Sequence, residues 1–294
     1  MRKEWIDALK GMAMLMVIAV HISQVLPRLP QPIAFACSFG AMGVQLFFLL
    51  CAYCACISYK TRQGGGYLSY LSHRFKAMLP FYLLGICVYA GLKLVFPFVS
   101  PLQRLNYNIV TILPNALLLN DLCPWAQNNV VPGGWSISCM MIFAVGFPAF
   151  IWFLKEGALV KSIGLTILGV LVSVLLFIGF DLPKEYCLLF FTTQLAPFLV
   201  GILLHQYKAE VTQLSRKPIL CLVAFFGLVL LTALCAKVDC YAFLYRQVLM
   251  AIAFGALVCA AQAVAKYPKS LLFVGRHSYS IYLFHFAVIW MISQ

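Results

Sequence analysis

The stretch "IDALKGMAMLMVIAVH", residues 6–21, opens with charged side chains, continues as an apolar run and ends on a histidine. Asp7 and Lys10 stand at its head, and His21 follows Lys10 by eleven residues. Eleven residues make about three turns of an α-helix, so we expect Asp7, Lys10 and His21 to share one helix face. An ionisable side chain inside a membrane helix is costly and is usually functional or paired. The stretch therefore predicts a first membrane helix that carries a candidate functional histidine.

The composition of the whole chain also indicates a membrane protein. Of its 294 residues, 64% are hydrophobic and 10% are charged, whereas a soluble domain is about half apolar and a quarter charged. The 21 Lys and Arg against eight Asp and Glu lie mostly in short loops between apolar runs. That distribution is typical of membrane topology, so we expect no nucleic-acid partner.

Nine segments are long and apolar enough to cross a membrane, which takes about 20 residues each. They are residues 8–26, 33–58, 77–99, 135–154, 162–180, 187–206, 218–236, 243–265 and 271–292. Segment 106–122 is also apolar, but Pro114 and several asparagines interrupt it, which favours an interfacial or re-entrant segment. The predicted fold is an all-α polytopic membrane protein with a single domain over residues 1–294. It has nine membrane helices, or ten if 106–122 also spans.

The distribution of basic residues predicts the orientation of the chain. With the N-terminus inside, all but six of the 21 Lys and Arg fall at cytoplasmic ends of the predicted spans. The six others are Arg28, Lys93, Arg104, Lys184, Lys237 and Arg246. By the positive-inside rule, the N-terminus is expected in the cytoplasm and the C-terminus outside it.

The last predicted span carries a second polar face. In "GRHSYSIYLFHFAV", residues 275–288, Ser278, Tyr282 and His285 fall at i, i+4 and i+7 of one helix. Three hydrogen-bonding groups facing lipid are unfavourable, so we expect them to face the bundle interior. Hydrogen bonding between helices is the structural alternative to a functional role, particularly for Ser278.

A cluster of basic residues and a single arginine elsewhere each have a functional interpretation beside a topological one. "HRFKAMLPFY", residues 73–82, places His73, Arg74 and Lys76 just before the third predicted span. The cluster is either an ordinary positive-inside anchor or a cytoplasmic pocket for a phosphate-rich donor, for which arginine is well suited. Arg246 and Gln247 lie near the outer end of a predicted span and are expected to line a cavity.

Five motifs recur in one order along the chain. They are "IDALKGMAMLMVIAVH" (6–21), "GVQLFFLLCAY" (43–53), "RFKAMLPFY" (74–82), "WSISCMMIF" (135–143) and "HSYSIYLFHFAV" (277–288). In this order they resemble the motifs of the membrane acyltransferase-3 family, polytopic enzymes that often O-acylate bacterial surface polysaccharides. Each motif alone is weak, and the resemblance covers the chain from end to end.

The chain departs from the family pattern at several positions. Lys10 replaces the usual Arg, Gln45 an acidic residue, Cys51 and Ala52 a Ser-Gly pair, Ala77 the second Arg of the third motif, and Met140 a Glu. Met140 is the most serious change, because a carboxylate at that position is a candidate to orient or charge-stabilise a catalytic histidine. A divergent acyl group or acceptor, or a loss of catalysis, would each be compatible with this change.

The resemblance implies a function. An acyl group, with acetyl as the expected one, would pass from cytoplasmic acyl-CoA to a hydroxyl of a cell-surface polysaccharide or lipid-linked glycan at the bacterial inner membrane. The expected partners are membrane lipids, acyl-CoA and the glycan, with no permanently bound cofactor and no metal. A non-catalytic glycan or lipid transporter, or an accessory subunit on the same scaffold, is the alternative.

The resemblance also assigns expected roles to residues of this chain. His21 would be the general base or a transient acyl carrier, supported by a pair formed by Lys10 and Asp7. Arg74 and Lys76 would contact the donor. The expected acceptor side consists of Trp135, Ser136, Tyr282 and His285.

Overall fold

The computed structural model describes residues 3–26, 28–61, 66–238 and 242–292, which form helices and connecting turns without any strand. The α-helices are α1 (Glu4–Val25), α2 (Gln31–Ser38), α3 (Gly43–Thr61), α4 (Gly66–Val95), α5 (Ser100–Gln103), α6 (Ile109–Ala116), α7 (Gly134–Phe153), α8 (Ala158–Gly179), α9 (Lys184–Leu189), α10 (Leu195–Gln206), α11 (Lys208–Ser215), α12 (Pro218–Val238), α13 (Ala242–Gln262), α14 (Lys269–Arg276) and α15 (Ser278–Ile292). Short 3₁₀ turns lie at Phe39–Met42 and Asn120–Leu122.

Seven segments of the described chain are long and apolar enough to cross a membrane. They are α1, the α2–α3 segment Gln31–Lys60, α4, α7, α8, and most of α12 and α13. The all-helical polytopic class is therefore confirmed.

The predicted count of nine spans is not confirmed. Two of the predicted spans, 187–206 and 271–292, contain only the shorter apolar helices α10 and α15. Each is interrupted: residues 187–206 include the break between α9 and α10, and His277 separates α14 from α15. Apolar composition alone does not reveal such breaks.

Segment 106–122 does not form a helix of membrane length. Its helix α6 covers Ile109–Ala116, about 12 Å at 1.5 Å per residue, against a hydrocarbon core of about 30 Å. Asn108 caps α6, since its side-chain oxygen accepts a hydrogen bond from the backbone N–H of Thr111 at 2.9 Å. The structure therefore does not confirm the alternative of a tenth span.

Helix α1 lies at the centre of the bundle, where it packs against α3, α14 and α15. Its contact with α14 runs through two glycines. A Cβ atom added at Gly275 would lie 1.7 Å from the carbonyl oxygen of Asp7, and one at Gly11 would lie 2.3 Å from the carbonyl oxygen of Leu271. Small residues allow helix backbones this close approach in membrane proteins. At the same crossing, Arg276 Nε lies 3.4 Å from the buried carboxylate of Asp7.

The interior away from α1 is held by stacked aromatic rings. Phe198 of α10 stacks on Phe48 of α3 at 4.7 Å and on Phe143 of α7 at 4.3 Å between ring centroids. All three side chains are fully buried, and such pairs stabilise a fold beyond the area they bury. In contrast, α8 and α12 expose rows of leucine, isoleucine and valine, as helices in contact with lipid do.

We predict that Gly275→Ala destabilises the protein strongly, because its added methyl group meets the α1 backbone and cannot be relieved by a side-chain rotation. Overpacking typically costs about 1–3 kcal/mol, and we expect at least the upper end here. Gly227→Ala in α12 is the matched control, since a Cβ atom there meets nothing within 4 Å. Thermal unfolding of the purified protein in detergent measures both. Equal melting temperatures for the two variants would contradict the proposed contact between α1 and α14.

Candidate active site

Two of the cavities in the described part of the chain are lined by predicted site residues. The first, called here the His21 cavity, has a volume of about 300 Å³, and its lining includes His21, Gln45, Trp135, Arg246 and Gln247. It lies between α1, α3, α7, α9, α13 and α15, so six helices of the described chain contribute to its lining. Arg246 and Gln247 both line this cavity, which confirms the prediction that the pair lines a cavity.

The second cavity, called here the Arg74 cavity, has a volume of about 260 Å³. Its lining includes Lys10, Cys51, Arg74, Ser136 and Met140. Lys10 and His21 are both on α1, where eleven residues correspond to about 16 Å along the helix axis. The two cavities therefore open at different depths of the bundle.

The cavities share two lining residues, Val44 and Tyr282. Ser136 Oγ lies 2.9 Å from the Tyr282 hydroxyl oxygen, and the Tyr282 hydroxyl donates to the Gly133 carbonyl oxygen at 3.2 Å. Gly133 has a φ of 78°, and a Cβ atom there would lie 3.0 Å from the Tyr282 hydroxyl oxygen. Glycine is thus favoured at position 133 both by backbone conformation and by space. A group at this junction is in contact with both cavities.

His21 is half-buried, and its ring is oriented by an amide. Its Nδ1 lies 3.0 Å from Oε1 of Gln24. Because an amide oxygen accepts hydrogen bonds, Nδ1 carries the proton and Nε2 keeps the lone pair that a base requires. Gln24 belongs to α1 itself, so the orienting group comes from one turn further along the same helix.

His285 lies beside His21, with 5.3 Å between the ring centroids. It is buried, and its Nδ1 lies 2.6 Å from the carbonyl oxygen of Tyr282. Its Nε2 is buried without a hydrogen-bond partner among the described residues. The predicted interior face of the last helix is confirmed, since Ser278, Tyr282 and His285 are all buried.

The predicted donor pair is divided between the cavity and the surface. Arg74 lines the Arg74 cavity, with its guanidinium carbon 5.4 Å from the Tyr70 ring centroid and Nη1 4.0 Å from Cys51 Sγ. Its Nε is buried without a hydrogen-bond partner in the described part of the chain. Lys76 is exposed and does not line this cavity. Two residues at i and i+2 of a helix point in different directions, which accounts for the separation.

The predicted acceptor residues do not all line one cavity. The predicted pair of Asp7 and Lys10 on α1 is also divided. Trp135 and Tyr282 line the His21 cavity, whereas Ser136 lines the Arg74 cavity. Asp7 forms an ion pair with Arg276 of α14, a partner that the sequence did not indicate. Lys10 is directed to the Arg74 cavity.

Met140, at the position of the family's glutamate, lines the Arg74 cavity. His21 lines the other cavity and is oriented by Gln24. The replacement at Met140 therefore alters the Arg74 cavity, where it leaves Arg74 and Lys10 without that negative charge.

Three glutamines, of which the sequence analysis placed only Gln247 in a cavity, meet in the His21 cavity. Gln45 Nε2 donates to Gln194 Oε1 at 3.1 Å and to Gln247 Oε1 at 2.9 Å. All three side chains are buried, and Gln45 Oε1 has no partner among the residues described. The available signal was a glutamine within an apolar run, which alone does not show that three such residues meet.

The segment that closes the His21 cavity is fixed by a buried carboxylate. Asp121 accepts hydrogen bonds from Gln127 Nε2 and from the backbone N–H of Phe191, both at 2.9 Å. These bonds tie the segment between α6 and α7 to the turn between α9 and α10, and Asn128 and Gly133 of the first segment line the cavity. Burial raises the pKa of the Asp121 carboxyl to about 7.

Comparison with known proteins identifies one family. The family model of the acyltransferase-3 proteins, described as an acyltransferase domain, matches residues 3–294. No curated protein and no solved structure matches the chain.

We predict that Asp121 makes stability depend on pH. The folded protein holds a proton on this carboxyl up to about pH 7, whereas the unfolded chain releases it near about pH 4. Stability from this group is thus fully present below about pH 4 and is lost as the pH rises to about 7. Asp121→Asn should flatten the decrease, by several degrees in melting temperature over this range, as scanning fluorimetry of tryptophan would show. An unchanged pH profile in the variant would contradict this role.

Proposed function

Since the chain belongs to the acyltransferase-3 family, we propose that it moves an acyl group, acetyl first among the candidates, from acyl-CoA to a glycan hydroxyl. The acceptor would be a cell-surface polysaccharide or a lipid-linked glycan at the bacterial inner membrane. The observation that carries this proposal is the junction at Val44 and Tyr282, where a cavity lined by His21 meets a cavity lined by Lys10 and Arg74. The two halves of an acyl transfer need two such adjoining sites.

The Arg74 cavity suits the donor. Within the described chain, no carboxylate lies within ion-pair distance of Arg74, and Lys10 lines the same cavity. Guanidinium and ammonium groups bind phosphate oxygens through charge-assisted hydrogen bonds. Acyl-CoA carries its phosphates at the end remote from the thioester, so phosphates near Arg74 would leave the thioester free to reach the Val44–Tyr282 junction.

The orientation of the chain fits a cytoplasmic donor. The positive-inside distribution favours a cytoplasmic N-terminus, which places the Lys10 end of α1 toward the compartment that contains CoA. Seven spans and nine spans are both odd numbers, so the termini would lie on opposite sides. Reporter fusions that placed both termini on one side would contradict this orientation.

His21 would perform the proton transfer. Its Nε2 removes the proton of the acceptor hydroxyl while that oxygen attacks the thioester carbonyl carbon. The carbon–sulfur bond then breaks, and the CoA thiolate leaves and takes up a proton. The Ser136 and Tyr282 hydroxyls at the junction would donate to the carbonyl oxygen as its negative charge develops. In the alternative mechanism, His21 is a transient acyl carrier. Its Nε2 attacks the thioester and displaces CoA, and the acceptor hydroxyl then takes the acyl group from Nε2 in a second step.

We predict that His21→Gln leaves the protein folded and lowers acyl transfer by roughly a hundredfold or more, because glutamine cannot act as a base. Mass spectrometry of surface glycans from cells that lack the chain, or contain it or a variant at matched membrane levels, measures the transfer. His277→Gln is the control, since His277 is exposed and lines neither cavity.

Normal acylation by His21→Gln would contradict the catalytic role of this histidine. Identical glycans with and without the chain would contradict the enzyme and favour the transporter or accessory subunit.

We predict that Arg74→Ala and Lys76→Ala differ, although both remove a basic residue from one turn of α4. Arg74→Ala should raise the acyl-CoA concentration needed for half-maximal transfer by roughly tenfold or more, the equivalent of one charged hydrogen bond. Lys76→Ala should leave it close to that of the wild type, because Lys76 is exposed. Initial rates in proteoliposomes measure both. Equal effects of the two variants would contradict donor binding by Arg74 and would leave it only as a positive-inside signal of membrane topology.

A further inference from the structure

Arg246 introduces a positive charge into the His21 cavity for which the described residues provide no negative partner. Its guanidinium carbon lies 5.9 Å from the Phe39 ring centroid, and its Nε is buried without a hydrogen-bond partner among the described residues. The lining of the cavity contains no aspartate or glutamate. Arg246 belongs to a segment of α13 that is apolar enough to span the membrane.

A charge in this position is unfavourable unless something neutralises it. Arginine within a membrane helix is rare, and it usually faces a cavity or a partner and marks a substrate pathway. The phenylalanine ring supplies only a part of the required interaction. A planar guanidinium is complementary to carboxylate and phosphate groups, which it binds through two parallel hydrogen bonds. An anionic group would therefore complement Arg246 in this cavity.

The amide cluster beside Arg246 provides an independent observation, because it also contains a buried polar atom without a partner among the described residues. The Gln45 side chain is 3% exposed and donates from Nε2 to both Gln194 and Gln247. Its Oε1 is left without a donor among the described residues, and Gln45 lines the cavity. A buried carbonyl oxygen without a donor is costly, and a sugar hydroxyl would satisfy it.

We propose that the His21 cavity binds an anionic sugar as the acyl acceptor. Arg246 would pair with its carboxylate or phosphate, and Gln45 Oε1 would accept a hydrogen bond from one of its hydroxyls. Trp135 in the same lining offers an apolar surface to the sugar ring. His21 would then face another hydroxyl of the same sugar. The role of this sugar as acyl acceptor rests on the proposed function, whereas its binding does not.

Binding to the full chain in lipid nanodiscs tests this inference with two matched pairs of probes. Tetragalacturonic acid is compared with its methyl ester, and maltotetraose bearing one phosphate monoester with plain maltotetraose. We expect at least one charged probe to bind tenfold or more tightly than its neutral counterpart, and the pair that does so distinguishes carboxylate from phosphate. Equal affinities within both pairs would overturn the inference, and this comparison needs no variant.

Variants locate the effect at Arg246. Arg246→Gln should abolish the preference for the charged probe, and Arg246→Lys should retain part of it, because lysine keeps the charge without the bidentate geometry. Arg104→Gln is the matched control: it removes one positive charge from an exposed site outside the cavity and should retain the whole preference. A preference that survives Arg246→Gln, or is lost equally in Arg104→Gln, would overturn the assignment.

Acyl transfer from acetyl-CoA, measured in the same preparation, separates this inference from the proposed function. Binding that depends on Arg246 without any transfer to the bound probe or to isolated surface glycan would contradict the enzyme and support the anionic site. Transfer to neutral and charged acceptors at equal rates, unaffected by Arg246→Gln, would support the enzyme and overturn the anionic site.

Discussion

The contact between the backbones of α1 and α14 sets the position of α1 in the bundle. Gly11 and Gly275 allow the two helices to approach within a distance that excludes any side chain between them. The ion pair of Asp7 with Arg276 lies at the same crossing. Because α1 also packs on α3 and α15, it carries its own polar residues, Lys10 among them, into the interior. A helix fixed less closely would leave these groups facing lipid, where they are unfavourable.

The two cavities along the length of α1 contain different polar side chains. At one depth, Lys10 and Arg74 line a cavity in which Met140 stands in place of a carboxylate. At the other depth, His21 and Arg246 line a cavity whose remaining polar side chains are uncharged. Such a division is consistent with a donor that carries several phosphates and a separate acceptor. Met140 removes the negative charge of the family's Glu from the Arg74 cavity, and Ala77 in the same lining removes the positive charge of the family's second Arg.

The sequence predicted what depends on periodicity within one helix, and less of what depends on contacts between helices. The buried face with Ser278, Tyr282 and His285 followed from spacing alone. Lys76 was grouped with Arg74 because the two are close in sequence, although helix geometry directs them apart.

The glutamine cluster joins positions separated by 149 and 202 residues, and no local pattern reveals such a meeting. The breaks before α10 and at His277 coincide with the short polar stretches "TTQ" (192–194) and "RHS" (276–278), which a count of spans by overall apolar composition does not separate. The orienting partner of His21, in contrast, is local, since Gln24 lies one turn away on α1.

We propose that the two cavities form one path through the bundle. The donor would enter it from one face of the membrane and the acceptor from the other. Sealed vesicles containing the protein in a single orientation test it directly, with acetyl-CoA and the surface glycan supplied on chosen faces. We expect acylation of the glycan when acetyl-CoA is on the face nearer Lys10 and the glycan is on the opposite face. Acylation only when both substrates share one face would contradict a path through the Val44–Tyr282 junction.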